Sequence, residues 1–98
     1  MKVYRGDRTL DGLAVTVDGE PLDPRTDIKQ LSENGFEWSY EGPEPAQLAL
    51  AMLAEHLGND QAALAKHQAF MKAIVANFNN EWEMTEEDIG IALKNIGA

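Results

Sequence analysis

The first part of the chain alternates between apolar and polar positions in short runs. Residues 2–5 form one β-prone run, and residues 13–17 (Leu-Ala-Val-Thr-Val) alternate strictly and include β-branched side chains. Asp-Gly pairs at 11–12 and 18–19 flank the second run and are typical of two-residue hairpin turns. Period-two alternation between such turns predicts strands, and the two prolines that follow keep any return strand short.

A further strand is predicted at 36–40, where Phe-Glu-Trp-Ser-Tyr alternates aromatic and polar residues. Such alternation gives one aromatic face and one polar face. The preceding stretch, 23–34, is typical of a loop with one helical turn. The sheet would then contain three to four antiparallel strands in the N-terminal half, with the aromatic face buried beneath a helix.

The period changes from that of a strand to that of a helix after Gly-Pro-Glu-Pro at 42–45. Residues 46–57 are apolar nearly all round, which is typical of a central, buried helix. A second helix is predicted over 61–78, and Thr-Glu-Glu-Asp at 85–88 resembles a capping box that begins a short third helix. We therefore predict one α+β domain over residues 1–98, with the sheet packed against two to three C-terminal helices.

The net charge of the chain limits the classes of partner that it is expected to bind. The chain has 17 Asp and Glu against 8 Lys and Arg, a formal net charge of −9. Direct nucleic-acid binding requires clustered Lys and Arg, and none is present, so nucleic acid is not expected as a direct ligand. A partner protein with a basic surface fits this charge better. The acidity is equally consistent with a role in solubility alone.

The sequence predicts a protein that stays in the cytoplasm and has no membrane partner. No apolar run approaches the roughly 18–20 residues that span a bilayer, and the N-terminus becomes polar too early for a signal peptide. There is no cysteine, which excludes disulfides and thiolate ligands.

Candidate chemistry is sparse. His56 and His67 could approach each other across a helical hairpin, but neither belongs to a metal-binding pair on one helix. Ser32 and Ser39 lie outside any Gly-x-Ser-x-Gly motif. We therefore expect no catalytic residue, no metal site and no cofactor.

Several strings along the chain resemble a family of small uncharacterised proteins. They are Val-Tyr-Arg-Gly at 3–6, Val-Thr-Val-Asp-Gly at 15–19, Gly-Phe-Glu-Trp-Ser-Tyr at 35–40, Pro-Ala-Gln-Leu-Ala-Leu-Ala at 45–51 and His-Leu-Gly-Asn-Asp at 56–60. In these strings the chain is similar to DUF6166, a family of bacteria, plasmids and phages. The resemblance implies no activity or cofactor. It does imply a mobile-element protein that binds a host or defence component, in the host cytoplasm if a phage encodes it.

The leading hypothesis is a non-enzymatic acidic interaction protein of phage or mobile-element type. An inhibitor of a CRISPR-like bacterial defence complex, which would act by binding a basic protein surface, is one such role. The candidate partner-binding acids lie near the strand-to-helix junction and around the last helix: Glu37, Glu41, Glu44, Glu81, Glu83, Glu86, Glu87 and Asp88.

Two alternatives stay open. In the first, the chain is a small enzyme or metabolite-binding domain with a pocket between the aromatic strand and the helices. Its ligand-binding residues would be Arg5, Glu37, Trp38 and Tyr40. In the second, the nearly all-apolar helix at 46–57 forms part of a homo-oligomer.

Overall fold

The structure, a computed structural model, describes residues 1–97. One antiparallel sheet has the strand order β3-β2-β1-β4. The strands are β1 (Val3–Thr9), β2 (Gly12–Val17), β3 (Glu20–Pro21) and β4 (Trp82–Thr85). The helices are α1 (Pro43–Leu57), α2 (Asp60–Ala73) and α3 (Glu86–Asn95), and a 3-10 turn covers Val75–Asn77. The predicted α+β class is confirmed.

The β1–β2 hairpin forms from the two predicted runs, but its turn is Leu10-Asp11 rather than Asp11-Gly12, because Gly12 already pairs with Thr9. The Asp18-Gly19 turn lies where it was predicted, between β2 and β3. Tyr4 pairs with Val17 and Gly6 with Val15. Tyr4, Gly6 and Val15 are buried, so this face of the sheet packs on the core. Arg5 and the other residues of opposite parity lie on the outer face. β1 continues past Gly6 to Thr9, further than the sequence predicts.

The fourth strand comes from the C-terminal half, between the second and third helices, where no strand was predicted. In β4, Trp82 pairs with Gly6 and Met84 with Tyr4. A Cβ atom on Gly6 would lie 2.1 Å from Nε1 of Trp82, far inside van der Waals contact. The glycine is therefore what allows the indole to lie across β1.

The strand predicted at 36–40 is wrong. Ser39 has a φ of 79°, in the left-handed region that a strand does not use. Its N–H donates to Val75 O (3.1 Å) rather than to a neighbouring strand. Trp38 is buried whereas Tyr40 is 44% exposed, so the aromatic side chains do not share one face. The free edge of β1 that such a strand would need is occupied by β4.

The helices agree with the predicted order but not with every boundary. α1 begins at Pro43, since proline is tolerated in the first turn, and ends at Leu57, where Gly58 with a φ of 63° caps the helix. α2 ends at Ala73, five residues before its predicted end, and a 3-10 turn follows. The predicted capping box at the start of α3 is confirmed by reciprocal hydrogen bonds between Thr85 and Asp88.

Helix α1 is the centre of the core. Every residue from Pro45 to Ala54 is buried within this single chain. The fold itself thus accounts for the apolar surface that suggested a homo-oligomer, and the oligomeric state stays a prediction. No helix within residues 1–97 is long and apolar enough to cross a membrane.

The long segment between β3 and α1 has no strand or helix and is fixed by one buried side chain of α1, Gln47. Its Oε1 accepts hydrogen bonds from the N–H groups of Leu31 (2.7 Å) and Ser32 (3.2 Å). Its Nε2 donates to the carbonyls of Pro24 (2.6 Å) and Lys29 (3.2 Å). The amide thereby uses both donors and both lone pairs of its oxygen, so it is fully satisfied although it has no exposed surface.

Candidate functional site

Arg8, near the end of β1, forms hydrogen bonds with two segments that are distant from it in sequence, residues 37–38 and Asn80. Its Nη2 donates to Oε1 of Glu37 and to Trp38 O (2.8 Å), and its Nη1 donates to Oδ1 of Asn80 (2.6 Å). The guanidinium also lies 4.8 Å from the ring centroid of Trp38. Ion pairing, hydrogen bonds and a cation–π contact together engage this arginine within the chain, so it serves the fold.

The four residues predicted to bind a ligand, which are Arg5, Glu37, Trp38 and Tyr40, do not meet in one pocket. Trp38 has no exposed surface and packs edge-on against Trp82, with ring centroids 5.9 Å apart. Glu37 is paired with Arg8, and Arg5 lies on the outer face of β1. Tyr40 donates its hydroxyl to Glu44 at the surface (3.0 Å). Burial and that carboxylate raise the pKa of the Tyr40 hydroxyl, which therefore keeps its proton.

Five of the eight acids predicted to bind a partner have partners within the chain. Glu37 pairs with Arg8, and Glu83 pairs with Arg5 (2.7 Å). Glu86 accepts the backbone N–H of Lys2, Asp88 caps α3, and Glu44 accepts from Tyr40 and Ser32. The other three, Glu41, Glu81 and Glu87, are exposed and have no hydrogen bond or ion pair within residues 1–97.

Most basic residues of the sheet half are likewise engaged. Lys2 bonds Glu55 (2.6 Å), and Arg25 bonds both Asp27 (3.0 Å) and Asp60 (3.1 Å). The hydrogen bond to Glu55 raises the pKa of the Lys2 ammonium. Together with Arg5 and Arg8, these pairs involve four of the five Lys and Arg residues that precede α1. The surface of this half therefore has few free cations to offset its exposed carboxylates.

A shallow depression of about 340 Å³ lies where β1 meets β4. It is lined by Arg5, Gly6, Asp7, Glu81, Trp82 and Glu83. Three carboxylates surround a single guanidinium, which is itself paired, so the local charge is negative. Phe78 stacks on the Trp82 ring (4.3 Å between centroids, 14° between planes) and holds the indole in place. The Trp82 indole lies on the inner face of the sheet with Gly6, whereas Arg5, Asp7, Glu81 and Glu83 alternate with them and lie on the outer face. A negative outer surface of this kind is suited to a lysine or arginine side chain.

Within residues 1–97, three buried polar atoms of the core have no hydrogen-bond partner: the Tyr4 hydroxyl and the Nε1 atoms of Trp38 and Trp82. Burial, reinforced by the carboxylates of Glu55 and Glu86, raises the pKa of the Tyr4 hydroxyl above its ordinary value. The phenol is therefore neutral, and it acts as part of the core rather than as an acid or base.

No cluster of three or more His, Cys, Asp or Glu side chains suited to a metal ion occurs in residues 1–97. Nδ1 of His67, a buried residue of α2, lies 2.5 Å from Leu64 O. Neither Asp7 nor the strand that brings Glu81 and Glu83 beside it was predicted from the sequence. A signal was present, because Glu-Trp-Glu-Met at 81–84 alternates polar and apolar residues with the same period as 36–40.

The comparisons with known proteins identify a family and no function. No curated protein and no solved structure matches the chain. One family model, described as a family of unknown function (DUF6166), matches residues 4–95. This range spans all of the sheet except Val3, together with all three helices, and so the chain belongs to the DUF6166 family.

Proposed function

We propose that this protein is a non-enzymatic interaction protein that binds a basic surface of a partner protein through the β1–β4 depression. The observation that carries the proposal is that Asp7, Glu81 and Glu83 line one depression where β1 meets β4. A volume of about 340 Å³ accommodates a single long side chain. A lysine or arginine would lay its aliphatic part along the depression and place its charge among the carboxylates.

The distribution of charge supports the same partner. The net charge of −9 gives a long-range field that attracts basic surfaces. Because four of the five basic side chains of the sheet half are engaged within the chain, they compete little with an incoming lysine or arginine. Association should accordingly slow as ionic strength rises, since salt screens charges beyond a Debye length of about 8–10 Å.

The partner that we propose is a component of a bacterial defence complex, such as a CRISPR-like assembly. The likeness that the sequence bears to proteins of bacteria, plasmids and phages motivates this choice. Such complexes hold nucleic acid on basic surfaces, and an acidic protein that covered such a surface would block it. The protein would then be of phage or mobile-element origin and would act in the host cytoplasm.

Charge reversal tests the proposal. The variant Asp7→Lys/Glu81→Lys reverses the two depression carboxylates that form no ion pair among the described residues, 1–97. Wild type and variant would be used as baits to capture partners from the lysate of a bacterium that carries such a defence complex. The captured protein would then be purified and its affinity for both baits measured. We expect a basic protein that binds the variant at least tenfold more weakly, about 1.4 kcal/mol or more.

The matched control is Glu41→Lys/Glu87→Lys, which changes the net charge equally at two other exposed carboxylates. An equal loss of affinity in the control would show that overall charge, rather than the depression, governs binding. A partner that binds all three proteins equally would contradict the proposed function.

A further inference from the structure

The edge of the sheet far from the depression is only partly covered. β3 is two residues long, and it pairs only with Thr16 and Val17 at the end of β2. The first half of β2, from Gly12 onward, therefore extends beyond its neighbour. An uncovered sheet edge is a template on which another chain can add a strand.

The hydrogen-bond pattern shows which backbone groups of β2 point outward. The N–H of Asp18, just after β2, donates to Val3 O of β1 (2.9 Å). On the other side, Val15 O accepts from the N–H of Leu22 (3.0 Å). Because the direction alternates along an antiparallel strand, even-numbered residues of β2 bond toward β1 and odd-numbered residues toward β3. The N–H and C=O of Leu13 therefore point to the outer edge.

The chain leaves this edge before it reaches Leu13. In the register that pairs Thr16 with Pro21, the residue opposite Leu13 would be Pro24. The carbonyl of Pro24 instead accepts a hydrogen bond from Gln47 of α1 (2.6 Å), and a proline has no N–H to offer. The backbone groups of Leu13 consequently have no partner strand in the part of the chain that the structure describes.

Apolar side chains accompany this open edge. A groove of about 350 Å³ is lined by Leu13, Val15, Leu22 and Phe36, among others. Leu13 is 39% exposed, and Leu10 in the adjacent turn is completely exposed. Exposed leucines beside unpaired backbone groups are the features by which a sheet edge holds an added peptide strand.

Charge identifies the kind of segment that fits. Asp11, Glu20 and Asp23 are exposed at the ends of this edge, and none has an ion pair within residues 1–97. We propose that the outer edge of β2 binds an extended segment of a partner protein, with apolar residues at alternate positions and lysine or arginine on both flanks. The segment adds as a strand beside Leu13. This site lies at the opposite edge of the sheet from the depression, so it does not depend on the proposed function.

A second copy of the chain is a poorer occupant. Two copies paired through β2 would bring the same three carboxylates of each edge together, and each copy has a net charge of −9. Like charges at an interface oppose association. A basic segment, in contrast, neutralises these carboxylates as it pairs.

The test uses a nine-residue peptide of alternating valine and threonine with two lysines at each end. Amide hydrogen exchange and ¹H–¹⁵N NMR spectra of the full chain would be recorded with and without about 1 mM peptide. In the free protein we expect the Leu13 amide to exchange far faster than those of Tyr4 and Thr16, which bond to neighbouring strands. With peptide, exchange at Leu13 should slow by roughly tenfold, and shifts should concentrate on β2 and Phe36.

Three controls keep the result specific. The same peptide with glutamates in place of its lysines should bind much more weakly. A peptide N-methylated at its edge-pairing amides should no longer slow exchange of the Leu13 amide. The unmethylated peptide should likewise fail to slow exchange of the amide of residue 13 in the variant Leu13→Glu. The proposal is overturned if Leu13 is already protected in the free protein, if light scattering shows that a second copy covers the edge, or if the shifts map to Glu81 and Trp82. Absence of any shift would equally overturn it.

Discussion

Helix α1 and the segment between β3 and α1 pack against the same core, but different forces hold them. In α1 the residues from Pro45 to Ala54 are buried, and most are aliphatic. The segment instead depends on two polar side chains that lie outside it, Gln47 and Arg8, which bind its backbone at separate points. The position of α1 depends on many apolar contacts, each of which can be replaced by another. The position of the segment depends on a few directional hydrogen bonds.

The apolar contacts of α1 and the hydrogen bonds of the segment also differ in what they contribute to the free energy of unfolding. Full burial of a leucine side chain is worth about 1.5–3 kcal/mol, and α1 contains several of them. A net hydrogen bond contributes only about 1 kcal/mol, but an orphaned buried partner costs about 1–3 kcal/mol. Loss of packing in α1 should therefore weaken the whole molecule, while loss of an anchor should first release the segment.

The largest effect is expected from Leu50→Ala in α1. Leu50 is fully buried, and truncation of such a residue removes transfer free energy and leaves a cavity, at a cost of about 3–4 kcal/mol. Urea denaturation should show a single cooperative transition at a lower midpoint. The control is Ile91→Ala at a half-exposed position, which should cost much less. Equal losses in the two variants would contradict the central place of α1 in the core.

A smaller but more local effect is expected from Gln47→Leu. The substitution replaces the amide with an apolar side chain of similar size. It leaves the N–H groups of Leu31 and Ser32 and two carbonyls without these partners. We expect a loss of about 2–3 kcal/mol in the free energy of unfolding. Limited proteolysis should cut between residues 24 and 34 faster than elsewhere. Gln61→Leu at an exposed position is the control, and unchanged cleavage would show that the anchor is dispensable.

The smallest effect, and the one with opposite sign, is expected from Tyr4→Phe on the face of the sheet that α1 covers. The Tyr4 hydroxyl is buried without a hydrogen-bond partner, so its removal relieves a desolvation penalty. Thermal and urea unfolding should show a gain of about 1 kcal/mol. A loss of stability instead would mean that the hydroxyl is hydrogen-bonded in solution, to water for example.

The same contrast explains what the sequence could predict. The β1–β2 hairpin, the Thr85 cap and the buried character of α1 are encoded by neighbours in the chain, and they were predicted. The segments 36–40 and 81–84 carry equivalent alternation, so periodicity alone cannot decide which one pairs with β1. Gly6 decides it, because it leaves room for Trp82, and only the assembled sheet shows this contact.

The candidate site was predicted to a similar extent. An acidic surface could be inferred from composition, and several of the named acids are exposed. Their internal partners could not be inferred, because Glu83 meets Arg5, and Glu37 meets Arg8, across long stretches of chain. Asp7 joins Glu81 in the depression for the same reason, since β1 and β4 become neighbours only in the folded sheet.

The pairing of β1 with β4 also bears on how the molecule folds. Lys2 and Glu86, which meet beside these strands, are 84 positions apart, whereas the β1–β2 hairpin closes over a two-residue turn. Closure of so large a loop costs more conformational entropy and is slower than local pairing. The hairpin and the helices should thus form before β4 docks. Until then β1 would present an open edge, and rapid docking of Trp82 over Gly6 would protect the nascent chain against intermolecular pairing.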